Sequence, residues 1–170
     1  YFVDSYYYRF TIVDDNFKPF QIAKNKISIF IFLKTGWKNT LKVVHIITGL
    51  ATGGAEAALY NLLYGGLTKH CDNHVISLGN EGVVGPKIKT LEVPVTTLGM
   101  PNGRPSISGL VKLRRSVRDF QPDLIQGWMY HGNLAATLAC AFAPRRPILV
   151  WNIRQSLYDL SYEKPMTRQI

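Results

Sequence analysis

Residues 49–56, Gly-Leu-Ala-Thr-Gly-Gly-Ala-Glu, combine the residue types and spacing best suited to chemistry in this chain. An apolar run over residues 43–47 stops at Thr48-Gly49. A helical pattern opens beyond Gly54, with Ala55, Ala58, Leu59, Leu62 and Leu63 on one face. Strand, glycine-rich turn and helix form the unit that directs backbone N–H groups at a phosphate. Gly53 and Gly54 are therefore candidate substrate-binding residues, because glycine lets the backbone approach a diphosphate with no Cβ in the way. Glu56 complements the positive end of the helix dipole. The spacing is not that of a dinucleotide fingerprint, since Ala51 stands where G-x-G-x-x-G needs its middle glycine. It is not a P-loop either, because Gly54-Ala55-Glu56 replaces Gly-Lys-Ser/Thr. A tight turn in any doubly wound domain accounts for the same glycines, and Gly49 reads as structural.

Two further candidates follow later strands. His131 lies in Gly127-Trp128-Met129-Tyr130-His131-Gly132-Asn133, ahead of a small-residue helix expected over residues 133–142. It is placed to hydrogen-bond a sugar hydroxyl or an anion and is the candidate catalytic residue; the alternative is a solvated loop histidine. Trp128 reads as loop packing and Asn133 as the helix cap. Arg154, in Asn152-Ile153-Arg154-Gln155-Ser156, is a candidate phosphate partner or else a surface salt bridge. His45 falls inside the strand and reads as a buried, hydrogen-bonded side chain. His70 and His74 read as surface residues, and Lys87 and Lys89 as solvated charges.

The elements that must hold these residues alternate regularly. Strands are expected over residues 43–47, 74–78, 93–98, 124–126 and 147–153. Helices are expected over 55–63, 86–91, 107–120 and 133–142, the third capped by Ser106 and buried through Leu110, Leu113, Val117 and Phe120. Pro86 suits a first helical turn. Such alternation predicts an α/β, Rossmann-like fold: a mostly parallel sheet with helices on both faces. Ligands of such sheets bind beyond the carboxyl ends of the strands, where Gly53, Gly54, His131 and Arg154 all fall.

The string Gly53-Gly54-Ala55-Glu56, with its strand and periodic helix, resembles the first loop of glycosyltransferase family 4, the retaining GT-B enzymes. The resemblance covers residues 41–170, which correspond to the N-terminal half of a GT-B fold. It implies transfer of a sugar from a nucleotide-diphosphate donor to the hydroxyl of a sugar, lipid-linked or small-molecule acceptor, with no redox cofactor and no tightly bound metal. In such enzymes the glycine loop approaches the donor diphosphate, and a histidine often follows the fourth strand. Here Gln126 stands at the commoner histidine position. The residues that grip the donor belong mainly to a second domain, so this chain is expected to supply the acceptor side of the cleft and to be inactive alone. Two alternatives stay open: a Rossmann-type oxidoreductase, with Glu81 on a ribose, and a non-catalytic fragment.

Composition sets the remaining bounds. With 170 residues, 46% of them hydrophobic, the chain can bury one ordinary core. Its two cysteines, Cys71 and Cys140, form neither a metal spacing nor a disulfide framework, which fits a reduced, cytoplasmic setting. A formal charge of +9 favours anionic partners. Without aromatic-interleaved basic runs or zinc-finger spacings, nucleic acid is not among them. Lys112, Arg114, Arg115 and Arg118, with Arg104 upstream, make a basic face. It is either solvated or in peripheral contact with acidic lipid, the latter at the inner face of the membrane. Residues 1–40 lack a helical period, and their apolar stretch over 27–33 is too short to span a bilayer. They are expected to be a poorly ordered extension outside the domain. Residues 162–168 read as the opening of another helix.

Overall fold

Long apolar strands at the centre of the sequence become the centre of a sheet. Leu41–Ile47 (β3) is buried over its last five residues, as a parallel strand covered on both faces must be. The computed structural model describes residues 9–13, 19–22, 40–100 and 105–153. Arg104, Arg154 and the segments 27–33 and 162–168 lie outside the described residues.

Beyond β3 come Gly54–Tyr64 (α1), Cys71–Ser77 (β4), Val84–Lys89 (α2), Val95–Thr97 (β5), Ile107–Phe120 (α3), Leu124–Trp128 (β6), Met129–Phe142 (α4) and Ile148–Ile153 (β7). Arg9–Val13 (β1) and Pro19–Ile22 (β2) precede them. The sheet runs β2-β1-β7-β6-β3-β4-β5. Every pair from β7 to β5 is parallel, whereas β1 pairs antiparallel with both β7 and β2. The patterning over residues 1–40 predicts no such strands. Each segment carries a short apolar alternation, Phe10 and Ile12 in β1 and Phe20 and Ile22 in β2, and the register pairs Phe10 with Ile22 and Ile12 with Phe20. Pro19 opens the edge strand, where a missing N–H costs least.

Period-two alternation divides the strands between two cores. Val44, Ile46, Ile76, Ile125 and Leu149 face Leu113 and Val117 of α3 and Ala135, Ala136 and Ala139 of α4. Ile47, Val75 and Trp128 face Leu59 and Leu63 of α1 and Val84 and Ile88 of α2. Helices thus cover both faces of a mostly parallel sheet, the Rossmann-like arrangement that the βα alternation predicts. Asp123 locks the start of β6: its carboxylate accepts from the Lys42 N–H at 2.9 Å, and its backbone bonds both Lys42 and Ile148.

Two sequence expectations are corrected at helix starts. α4 begins at Met129, directly after β6, four residues before the expected Asn133 cap. Asn133 lies inside the helix, and Trp128 occupies the cap position without a side-chain hydrogen bond. α2 begins at Val84, so Pro86 sits inside the first turn, where its N–H would have no helical partner in any case.

Candidate functional site

The loops beyond β3, β4 and β5 are stitched together by backbone hydrogen bonds that continue past the strands. Leu78 N–H donates to the Ile47 carbonyl at 2.8 Å, and Gly79 N–H to Thr48 at 3.0 Å. Met100 N–H then donates to Leu78 at 2.8 Å, and Gly99 N–H to Gly79 at 3.1 Å. Leu50 anchors the glycine loop: its side chain is fully buried, and its carbonyl accepts from Val84 N–H at 2.9 Å. Gly82 makes this contact sterically feasible. It has φ +54°, and a Cβ there would collide with the Leu50 backbone. The first loop is therefore held in place by the second before any ligand arrives.

Gly53 is the N-cap of α1, in extended conformation, and its carbonyl accepts from Ala57 N–H at 3.0 Å. A Cβ at Gly53 would collide with the Glu56 carboxylate, which folds back over the helix N-terminus. Gly54 differs: beyond its chain neighbours and its own helix backbone, a Cβ there meets nothing within 4 Å, and one at Gly49 likewise meets nothing beyond its chain neighbours. Gly53 also borders a cavity of about 220 Å³ between α1 and α2, walled by Thr52, Ala57, Tyr60, Asn61, Val84 and Lys87 among others. Lys87 is exposed, as the sequence suggests, and it also lines the cavity that Gly53 borders. Only the packing of α2 against α1 could have revealed that.

The turn from β6 into α4 is abrupt. Met129 takes φ +63°, a conformation that costs a non-glycine residue free energy and must be held by its surroundings. Two glycines permit the close approach of α4 to the sheet. A Cβ at Gly127 would strike Asn133, and one at Gly132 would strike the Ile46 carbonyl. His131 is exposed in the first turn of α4, on the helix rather than in a loop ahead of it. Asn133 is buried, and its Oδ1 has no hydrogen-bond partner. Gln126 lies inside β6 and is also buried, so it does not take the position of a loop residue after the strand.

Two further histidines, His45 and His74, point into the protein, whereas His70 is exposed, as the sequence suggests. His45 is fully buried on β3, with Nε2 3.2 Å from Asn73 Oδ1 and Nδ1 3.4 Å from Trp128 Nε1. Burial lowers its pKa to about 4, against a smaller opposite push from the Asn73 hydrogen bond, so it is neutral near pH 7. Trp128 does pack, but as the last residue of β6 in the core rather than in a loop beyond it. His74 is a correction: it is buried rather than on the surface, bonded to Thr96 Oγ1 at 2.9 Å and edge-on to Phe120. Burial lowers its pKa as well. Burial pushes the Cys140 thiol up to about 12 and raises the Cys71 thiol, so neither supplies a thiolate nucleophile at neutral pH. Among the described residues, no group of three or more His, Cys, Asp or Glu is arranged to hold a metal ion.

Topology brings Gly53, Gly54 and His131 to one edge of the sheet. β3 and β6 are adjacent and parallel, and their last registered pair is Ile47 with Trp128. α1 leaves β3 for one face and α4 leaves β6 for the other. The strand order reverses at this point, and a crevice opens there in sheets of this kind. Arg154 lies outside the described residues, although β7, which precedes it, ends at the same edge.

No family model and no curated protein matches this chain. Solved structures do match. One is the conserved protein TT1542 from Thermus thermophilus, at 14% identity and a TM-score of 0.46, over 64% of this chain and 60% of that one. This chain therefore matches 60% of the length of that structure.

Proposed function

We propose that this chain is the acceptor-side half of a retaining glycosyltransferase, which moves a sugar from a nucleotide-diphosphate donor to an acceptor hydroxyl. In this reading Gly53 and Gly54 approach the donor diphosphate, and His131 meets the reacting sugar hydroxyl from across the crevice. Arg154, which follows β7 in the sequence, is the phosphate partner in this reading. The acceptor is a sugar, a lipid-linked sugar or a small molecule. Catalysis rests on holding the hydroxyl in line and stabilising the departing diphosphate electrostatically.

The observation that carries the reading is Gly54. Nothing in the protein's own packing requires a glycine there, yet it opens the helix that borders the switch point. A ligand approaching the backbone supplies the missing reason. Lys87, on the wall of the same cavity as Gly53, adds positive charge there.

One observation favours the non-catalytic reading. Glu56 already covers the α1 N-terminus at Gly53, so a diphosphate must displace a flexible carboxylate. The oxidoreductase reading is weaker, because Glu81 is paired with Lys89 at 2.8 Å and is not waiting for a ribose. Titration of isotope-labelled chain with UDP-glucose and, separately, with NAD distinguishes the three by amide NMR. Sugar-nucleotide binding should move the amides of residues 53–56 and of His131. Shifts with NAD alone point to the oxidoreductase. Silence with both at millimolar concentration means that residues 53–56 do not bind a nucleotide without the donor-gripping domain. The same titration on a chain carrying that domain then decides whether the loop is only a turn.

A further inference from the structure

The outer surface of the helix layer made by α3 and α4 carries large aliphatic side chains in water. Ile107 is 85% exposed and Val111 61% on α3, and Leu134 is 62% and Leu138 42% on α4. Each pair is spaced i, i+4, so each forms a row along its helix. The two helices pack against one another over the same sheet face, which puts both rows on one outer surface. Scattered single exposures are ordinary on a protein surface, but four side chains on adjoining helices form a patch.

Cations accompany that patch. The α3 row continues into Arg114 and Arg118, with Lys112 and Arg115 flanking it, and all four are exposed. The helix has a single carboxylate, Asp119, which lies 3.6 Å from Arg115 and 3.5 Å from Arg118. Among the described residues, Lys112 and Arg114 have no carboxylate within ion-pair distance. A second copy of the same surface would set these cations against each other. An anionic bilayer complements both features, its phosphates meeting the cations and its acyl boundary the aliphatic side chains.

We propose that α3 and α4 dock this chain peripherally onto an anionic phospholipid surface. Ile107, Val111, Leu134 and Leu138 enter the boundary between headgroups and acyl chains, and the α3 cations pair with lipid phosphates. No helix among the described residues is long and apolar enough to cross a membrane, so the contact lies on one leaflet. His131 lies on α4 one turn before Leu134, which sets the docked surface beside the crevice. The inference does not depend on sugar transfer, and lipid binding is read separately from nucleotide binding.

The test is flotation of the full chain with phosphatidylcholine vesicles, with and without roughly 30 mol% phosphatidylglycerol. The chain should float with the anionic vesicles, stay behind with the neutral ones, and bind less as salt rises. Arg114→Glu with Arg118→Glu should weaken binding by roughly 25-fold or more, at about five-fold per lost cation. Ile107→Ser with Leu134→Ser should weaken it by roughly ten-fold or more. Both double variants change exposed side chains only, so their melting temperatures should match the parent. Equal flotation with neutral vesicles, no flotation, or unchanged binding by both variants would overturn the proposal. So would a concentration-dependent dimer that the apolar variant abolishes while vesicle binding persists.

Discussion

The indole N–H of Trp128 donates to Nδ1 of His45 across 3.4 Å, while Nε2 of the same ring faces Asn73 Oδ1 at 3.2 Å. An indole can only donate, so Nδ1 accepts and Nε2 carries the proton. Asn73 is fixed in turn, its amide donating to the Cys71 carbonyl at 2.7 Å. A neutral histidine in one tautomer thus ties β3 to β4 and β6 below the crevice. A second proton on Nδ1 would face the indole N–H, a donor.

This arrangement makes the domain acid-sensitive. Burial holds the folded pKa of His45 at about 4, below its ordinary 6.5, so the unfolded chain binds more protons in the interval between them. The stabilisation is complete above pH 6.5 and is lost as pH falls toward 4, at a total of about 3 kcal/mol. His74, also lowered by burial, acts in the same direction. Urea denaturation at pH 7.5 and 4.5 measures the slope. His45→Gln should flatten it while lowering stability at pH 7.5; an unchanged slope in that variant would remove His45 as the cause.

The four glycines near the crevice should separate sharply on substitution. A Cβ at Gly127 or Gly132 strikes backbone atoms of Asn133 or Ile46, which cannot swing aside as a flexible side chain can. Gly127→Ala and Gly132→Ala should each cost about 2 kcal/mol or more. Gly49→Ala and Gly54→Ala meet open space and should be neutral or stabilising by about 0.4–1 kcal/mol. Chemical denaturation of the four single variants checks the division. Similar losses at all four would mean that loop conformation, not close approach, decides.

Much of this fold was legible because period-two strands and period-3.6 helices alternate over residues 41–153. His45 could be read as buried because it interrupts an apolar strand. The glycine loop was legible from its place between strand and helix. What escaped depended on contacts between distant segments. Lys87 lines the cavity that Gly53 borders only because α2 packs on α1. His74 looks exposed beside Cys71-Asp72-Asn73, yet Thr96 and Phe120 close over it. The start of α4 was misplaced because Asn133 is a good cap by type, whereas the backbone turns four residues earlier through a strained Met129. Gly127 and Gly132 were the available signal: two glycines around a strand-to-helix junction mark a close approach.

The N-terminus of α3 offers a simple check of local energetics. Ser106 is its N-cap, and its Oγ accepts from Gly109 N–H at 3.1 Å, as the sequence predicts. Ser106→Ala should cost about 0.5–2 kcal/mol and Ser106→Gly less. Thermal melting of both variants decides, and an alanine variant as stable as the parent would show that solvent caps the helix instead.

The decisive substitution for function is Gly54→Val. Beyond its chain neighbours and its own helix backbone, no heavy atom lies within 4 Å of a Cβ at this position, so the fold should tolerate the valine. The core contacts of α1 run through Leu59 and Leu63, which the change leaves alone. A diphosphate drawn to the start of α1 would meet two added methyl groups and retreat from the backbone donors. Losing one or two charge-assisted hydrogen bonds of about 1.5–3 kcal/mol each lowers affinity by roughly ten-fold or more. Calorimetric titration with UDP-glucose, alongside thermal melting, reads both quantities. Weaker binding at unchanged melting temperature places the ligand against Gly54. Equal binding by parent and variant would return the glycine loop to a turn. Gly54→Ala sharpens the comparison: a single methyl group should produce a smaller loss than valine if the ligand and the side chain compete for the same space.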